Sequence, residues 1–381
     1  MTQEELRILW KILDARDMSI QKMTVALLEK ERVICEQNQR LQDNEIQKKQ
    51  KIIEQQRQTI RAYRAAYGPS PLIVIRPIGR AIRRATEIIR PRLGNLNQYA
   101  PRKLSLSCPA QAVSSCNLPL KISIVTPSFQ QGGYIEHTLK SVLEQGYPNL
   151  EYFVQDACSS DQTVVILKRY EQALSGWSSE ADSGQSHAIN KGFARTTGEI
   201  MAWLNSDDLL LPGALACVAE YFERHSEVDV VYGNRLMINE DGMEIGRWIL
   251  PGHDGDLLSW ADYVPQETLF WRRSLWEKVG GQIDESFKFA MDWDLLVRFR
   301  EVGAKFSHIP QFLGAFRIHH CQKTSATINE VGYQEMDRIR ERLLGKVPSR
   351  NEIRKAVFPF MLRHVIIDIF YRIKKRLGGK Q

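Results

Sequence analysis

The sequence has no CxxC pair and no other zinc-ligand spacing: its six cysteines stand apart, at 35, 108, 116, 158, 217 and 321. That excludes a zinc ribbon or finger, and the thiols read as free groups in a reducing compartment. No stretch approaches the ~18 consecutive apolar residues of a membrane-spanning helix. The opening MTQEELR lacks the basic-then-apolar pattern of a secretory signal. The expected location is the cytoplasm, with a peripheral seat on the inner face of the membrane as an option. The glycines of QQGGY, residues 130–134, have no lysine or arginine among them, unlike a loop that cradles a triphosphate.

Positive charge is also scarce in the middle of the chain. The net charge is +7, yet residues 1–103 hold 21 Lys and Arg against 11 Asp and Glu, and residues 346–381 hold 10 against 2. Residues 104–345 keep 21 basic and 32 acidic side chains, a net of −11. An acidic centre argues against a nucleic-acid groove, and no nucleic-acid partner is expected there. The basic ends suit an anionic surface.

What is present starts with helix. Residues 3–66 are nearly free of Gly and Pro. Leu6, Leu13, Ile20, Leu27, Ile34 and Leu41 recur every seven positions, and the phase then shifts to Ile46, Ile53 and Ile60. This is one seam of a coiled coil. Lys30, Gln37 and Asn44 interrupt the second seam. Residues 6–60 are read as a homo-oligomer contact, with a lone solvated helix as the alternative. Gly68-Pro69-Ser70-Pro71 ends the segment. Residues 77–90 read as a short basic helix with Ile78, Ile82, Ala85 and Ile89 on one stripe. Residues 358–377 repeat the theme: Phe358, Met361, Val365, Ile369, Phe370 and Ile373 lie at helical spacing, among Arg372, Lys374, Lys375 and Arg376. A membrane surface is one seat for such helices; packing on the chain's own domain is the other. The expected organisation is a helical or coiled-coil segment at 1–67, a basic helix and linker at 68–118, an α/β domain at 119–345 and a basic amphipathic helix at 346–381.

From residue 121 strand and helix alternate. Strands are expected at 121–129, 150–156, 199–204 and 228–232, with helices at 134–145, from 161 to 170, at 188–195 and at 212–225. Ser159, Ser160 or Asp161 would cap the second helix. This alternation predicts an α/β fold, a mostly parallel open sheet with helices on both faces. Ligands bind beyond the carboxyl ends of such strands. Three polar clusters stand there: Thr126-Pro127-Ser128, Asp156, and Asn205-Ser206-Asp207-Asp208. The last lies in WLNSDDLLLP, where two adjacent aspartates either cap a helix started by Pro212 or hold a hard cation. Their common position with the other clusters favours the ligand site. Farther on, Glu240-Asp241-Gly242 predicts a hairpin turn. In MDWDLLVRF, Asp292 and Asp294 flank Trp293 at a helix start. They read either as carboxylates favoured by the helix dipole, or as a general base beside an aromatic platform for a sugar ring.

SIVTPSF, QDACSSDQT, DSGQSHAINKG, EIMAWLNSDDLLLPGAL, VPQETLFWRR, MDWDLLVRF and FRIHHCQKT follow one another across residues 120–325. In that order and spacing they resemble the family 2 glycosyltransferases. The resemblance implies a GT-A fold for 119–345 and inverting transfer of a sugar from a nucleotide-sugar donor to a glycan or lipid-linked acceptor, as in surface polysaccharide synthesis. It implies that Thr126, Pro127, Ser128, Asp156, Gly184, Gln185, Lys191 and Asn205 face the donor. It implies Mg²⁺ or Mn²⁺ at Asp207, with Asp208 and His319 as further ligands and His320 as a neighbouring rival. Asn205 replaces the first aspartate of the family's Asp-x-Asp motif, which lowers the charge of the site. Asp292 matches the general base, which must take the acceptor's proton because a hydroxyl is a poor nucleophile. Trp293 and Gln266 fall on the acceptor side, and Asp294 braces its helix. Cys158 is read as structural, and His187 stands where similar sequences carry an acid. Two other readings stay open: a nucleotidyltransferase on a related fold, and a non-catalytic scaffold assembled through the coiled coil.

Overall fold

The computed structural model describes residues 90–105, 119–319 and 331–377, all within the compact unit Thr86–Gln381. The heptad seam at 6–60, the basic stretch at 77–89, His320 and the cysteines at 35, 108, 116 and 321 lie outside the described residues.

The elements are β1 (Ile122–Ser128), α1 (Ile135–Leu143), β2 (Leu150–Asp156), α2 (Thr163–Tyr170), β3 (Gly176–Ser179), α3 (Gln185–Phe193), β4 (Ile200–Trp203), β5 (Leu209–Leu210), α4 (Ala214–Arg224), β6 (Val230–Ile238), β7 (Glu244–Trp248), β8 (Phe270–Arg272), α5 (Arg273–Lys278), α6 (Met291–Glu301), β9 (Phe306–Arg317), α7 (Tyr333–Leu344) and α8 (Arg350–Leu377). They build one sheet in the order β3-β2-β1-β4-β8-β6-β9-β5, with β7 paired to β6. The strands β3, β2, β1 and β4 run parallel, as does β6 with β9. Antiparallel β8 joins the two parallel parts. The expected hairpin at 240–242 joins β6 to β7, with Gly242 at φ 75°.

Every residue of β1 is buried, as befits a parallel strand covered on both faces. Ile122 and Ile124 face a core with Leu139 and Val142 of α1, Leu167 of α2, and Leu215 and Val218 of α4. Val125 faces the other core, with Ile189 and Phe193 of α3, Trp271, Trp276, Trp293 and Phe299. The apolar residues of α1 sit at 135, 139 and 142, one stripe of a 3.6-residue period. Helix α3 lies so close to β1 that a Cβ on Gly192 would meet Val125 Cγ1 at 2.4 Å.

Parallel register does the positioning. Ser128 pairs with Asp156, Asp156 with Ser179, and Val125 with Trp203, so the polar strand ends reach one edge at one level. The leucines after Asp208 do not start a helix. Leu209 and Leu210 form β5 against Ala315 and Gly314 of β9, and α4 starts after Gly213 at φ 84° without a side-chain cap. The helix-cap alternative for Asp207 and Asp208 is thereby removed.

Helix α8 docks through Phe360, Ile367 and Tyr371 together with buried polar side chains. His364 is fully buried; its Nδ1 donates to Ile249 O at 2.8 Å, and its Nε2 accepts the Arg92 and Leu93 amides at 3.1 and 3.3 Å. Burial first lowers its affinity for a second proton, and the bonds at both nitrogens define one neutral tautomer. Arg247 of β7 donates to Tyr371 of α8 at 2.6 Å. The same Arg247 grips the fully buried Glu244 at 2.6 and 2.9 Å, which Tyr99 and Arg102 also engage.

Burial alone would raise the Glu244 carboxyl, but the bonds from Arg247, Arg102 and Tyr99 outweigh it and hold it at about 2 against an ordinary 4.5. A depressed carboxyl stabilises the fold above its ordinary value and loses that contribution as pH falls toward the folded value. Glu244→Gln should lower unfolding free energy near neutrality by about 3 kcal/mol, because two guanidiniums lose a buried counter-charge. It should also flatten the acid loss of stability between pH 4.5 and about 2. Urea titrations of both proteins across that range check it.

Candidate active site

A cavity of about 920 Å³ opens at the carboxyl ends of β1, β2 and β4, a volume within the usual range for ligand sites. Its lining brings together Pro127, Ser128, Gly184, Gln185, Asn205, Asp207, Asp208, Gln266, Asp292 and Trp293. Asp207 and Asp292, 85 positions apart in the sequence, thus share one space.

The turn after β4 is held by β9. Arg317 is buried and donates through Nε to Asp207 O at 2.8 Å, and its amide donates to Asp208 Oδ1 at 2.9 Å. Its Nη1 also reaches Asn239 O and Glu240 O in the β6–β7 turn, at 3.2 and 2.9 Å. The two aspartates then diverge. The Asp207 side chain is 18% exposed, and its Oδ2 lies 3.0 Å from His319 Nε2. Asp208 is buried; burial, then Asp207 and Glu267, push its carboxyl well above the ordinary range. Asp207 is the one that offers a carboxylate to the cavity. His319 stands behind it, against the Tyr134 ring at 4.7 Å.

Asn205 has a structural reason to be an amide. Its Oδ1 accepts from Gln185 Nε2 at 2.7 Å, while its Nδ2 donates to Gln266 Oε1 at 3.2 Å. Gln266 in turn donates to Trp203 O at 2.8 Å. An aspartate could accept but not donate, so it would break this chain. Gly184 precedes α3 at φ 122° and ψ 179°, a conformation that is essentially glycine's alone. His187 gains an account here: its Nδ1 accepts the Ser183 amide at 3.1 Å, which fastens the turn before Gly184.

Four expected residues stand outside the lining. Thr126 is buried, with its hydroxyl 3.0 Å from Tyr152 OH in the core. Asp156 is also buried, and its carboxylate takes the Ser159 amide at 2.9 Å and the Ser159 and Ser179 hydroxyls at 2.5 and 2.6 Å. Lys191 pairs with Glu180 at 2.5 Å. His319 is the fourth, in contact with the lining through Asp207. Cys158, expected to be structural, is an exposed free thiol. Its φ of 56° belongs to the turn that brings Ser159 back to Asp156. Asp161 precedes the N-cap position of α2, Gln162, and accepts the Thr163 amide at 3.0 Å.

Asp292 lies in the first turn of α6, and the residues that lead into that helix are held from elsewhere. Glu335 of α7 accepts the amides of Lys288, Phe289 and Ala290 at 2.7, 2.8 and 2.9 Å. Within the helix, Asp292 Oδ1 accepts the Trp293 amide at 2.9 Å. Asp294 braces the helix, bonded to Arg298 and Arg342 at 2.8 Å each. Trp293 does not offer a platform for a sugar. Its ring is buried, and its indole N–H donates to Leu258 O at 2.8 Å; it forms floor, not ledge.

Several lining residues went unforeseen, Asp262, Glu267 and Arg235 among them. Asp262 is exposed to solvent and lines the cavity together with Asp292. Glu267 forms a two-pronged pair with Arg235 at 2.8 and 2.5 Å. Arg235 also lies over the Trp248 and Phe316 rings, at 5.0 and 4.5 Å. Glu267 is adjacent to Gln266 in VPQE and was within reach of the motif. Nothing in the sequence near Asp262 or Arg235 announces them.

Among the described residues no three His, Cys, Asp or Glu side chains group into a metal cage. Asp207 and His319 supply two ligands side by side, and His319 Nδ1 is buried without a partner among the described residues. Such a set fits a hard divalent cation whose remaining ligands are phosphate oxygens and water.

The fold and the site define a GT-A-type α/β protein with a carboxylate-rich cleft at its strand ends. The family model of Glycosyl transferase family 2 matches residues 123–280. An uncharacterized glycosyltransferase of Mycobacterium tuberculosis (strain CDC 1551) is 30% identical over 182 residues, 46% of this chain and 68% of the relative. The chain belongs to that family. The O-antigen biosynthesis protein RfbC of Myxococcus xanthus is 29% identical over 221 residues, 57% of this chain, but the chain spans only 17% of its length. TuaG of Bacillus subtilis (strain 168), named as a teichuronic acid biosynthesis glycosyltransferase, is 33% identical over 144 residues, 37% of this chain and 56% of TuaG. Among solved structures, S. aureus TarS 1-349 in complex with UDP-GlcNAc shares the fold at 20% identity and TM-score 0.50, over 64% of this chain and 72% of that one.

Glu335→Ala should leave three amides at the start of α6 without their carboxylate and lower unfolding free energy by about 3 kcal/mol. Chemical denaturation measures the loss. Unchanged stability would show that α6 does not depend on this cap.

Proposed function

We propose that this chain is an inverting, metal-dependent hexosyltransferase that moves a sugar from a nucleoside-diphosphate sugar to a hydroxyl of a glycan or lipid-linked acceptor, in surface polysaccharide synthesis. The observation that carries this reading is the shared cavity of Asp207 and Asp292. The names of RfbC and TuaG support the polysaccharide context, and the UDP-GlcNAc bound to TarS supports the donor class.

The charge of the cavity supports the metal. Among the described residues its lining holds six carboxyl side chains, Asp182, Asp207, Asp208, Asp262, Glu267 and Asp292, and one cation, Arg235. Arg235 is already paired with Glu267. A diphosphate entering such a space meets like charge. A Mg²⁺ or Mn²⁺ ion at Asp207 and His319 would supply the missing positive charge and stabilise the diphosphate as leaving group. The same scarcity of cations speaks against the nucleotidyltransferase alternative, which needs a basic cradle for a triphosphate.

In this reading Gln185, Asn205 and Gln266 form the polar floor that orients the donor. The Ser128 hydroxyl, buried without a partner among the described residues, is available to a donor oxygen. Asp292 accepts the proton of the acceptor hydroxyl as its oxygen attacks the anomeric carbon and the bond to the diphosphate breaks. Attack and departure on opposite faces invert that carbon. The apolar walls, with Phe129, Phe289 and Met291, exclude water that would otherwise hydrolyse the donor. The seam at residues 6–60 joins copies of the chain.

Incubation with a panel of nucleotide sugars and Mn²⁺ should release nucleoside diphosphate from one donor, and a blank across the panel with folded protein would overturn the reading. Asp292→Asn should keep donor affinity and lower turnover by about a thousandfold, the scale of general-base catalysis. Asp207→Ala should abolish the difference in donor affinity with and without Mn²⁺, measured by calorimetry. Wild-type turnover in the first variant, or an unchanged Mn²⁺ effect in the second, would cancel the corresponding role.

A further inference from the structure

Helix α8 is amphipathic the wrong way round for a helix that merely covers its own domain. Phe358, Leu362, Ile366, Phe370 and Ile373 are 65, 51, 48, 67 and 47% exposed. Their spacing of four, four, four and three keeps them on one stripe, about 22 Å long at the helical rise. The face turned inward carries Phe360, His364 and Asp368, all buried. Asp368 pairs with Arg372 at 3.0 Å and lies 3.7 Å from Arg92. Scattered exposed hydrophobics are ordinary, but a continuous row marks a contact surface.

We infer that this outward row docks α8 onto an anionic lipid bilayer. Charge decides among the occupants. Arg354, Lys355 and Lys374 are exposed on the same helix. Its two acids are both engaged, Glu352 with Lys346 and Ser349, and Asp368 on the inward face. Residues 346–381 carry 10 basic groups against 2 acidic. A second copy packed symmetrically on this face would set like charges against each other. The basic segment 1–103, with 21 against 11, would do the same. A bilayer with anionic headgroups satisfies both features: apolar side chains enter the acyl boundary, and the flanking lysines and arginines remain with the phosphates.

Docking here bears on the reaction. Phe360, on the inward face, packs against the Tyr263 ring at 4.7 Å, and Tyr263 lines the cavity. The helix that meets the lipid is therefore one contact away from the cavity wall, which suits an acceptor carried on a lipid. This consequence, unlike the docking itself, rests on the transferase reading above.

The test uses the full chain in vesicle flotation, with phosphatidylcholine alone and with added phosphatidylglycerol. Wild type should bind the anionic vesicles, and binding should weaken as salt rises. The variant Phe358→Gln, Leu362→Gln, Ile366→Gln, Phe370→Gln should lose at least about a hundredfold in partitioning. Its melting temperature and its turnover on a water-soluble acceptor should not change. A second variant, Lys355→Glu with Lys374→Glu, keeps the row and should lose the preference for anionic vesicles. Flotation unchanged in the first variant, or absent in wild type, overturns the docking. So does a dimer in sedimentation that the first variant dissolves, since the row is then an interface between copies. Donor turnover is read in the same preparations, so a failure of docking is separable from a failure of the transferase reading.

Discussion

Six carboxyl side chains face one cavity, and their mutual repulsion has to be held in check by the scaffold. Four of them stand in different surroundings. Glu267 is neutralised by Arg235. Asp208 is withdrawn from water and tied to the Arg317 amide. Asp262 is exposed to water at the cavity. Asp207 is left partly exposed, with a histidine behind it. Such an arrangement is costly in isolation, and in the proposed reading a cation would offset that cost.

The two long-range clamps around the cavity share a logic. Arg317 holds the turn of Asp207 and Asp208 from β9, and Glu335 holds the residues leading into α6 from α7. Each bond crosses a long sequence separation to fix a segment beside the cavity. Pre-organisation of this kind fixes reacting groups before substrate arrives.

Much of the α/β scaffold was legible because parallel strands covered on both faces are continuous apolar runs. LEYFVQD reads as β2 with its observed ends, and the strand expected at 199–204 is β4, shorter by one residue at each end. The strands β3, β5, β7, β8 and β9 lie outside the expected set; β5 and β8, of two and three residues, form through partners distant in sequence. The leucines of β5 carry no period that tells strand from helix; pairing with β9 decides it. The motifs marked Asp207, Asp292 and Gln266 for the cavity, but they also marked Thr126 and Lys191, whose side chains turn to Tyr152 and Glu180. Motif position tells where a residue sits along a strand or helix, not which neighbour claims its polar atoms.

The order of elements, the buried strands and the acidic strand ends were determined by the sequence alone, because apolar periodicity and turn chemistry act over a few residues. Tertiary structure decided which carboxyls share a space, which of two adjacent aspartates stays exposed, and which face of α8 turns outward. Those outcomes depend on burial and on ion pairs between residues from 3 to more than 100 positions apart, and a linear pattern contains no term for them.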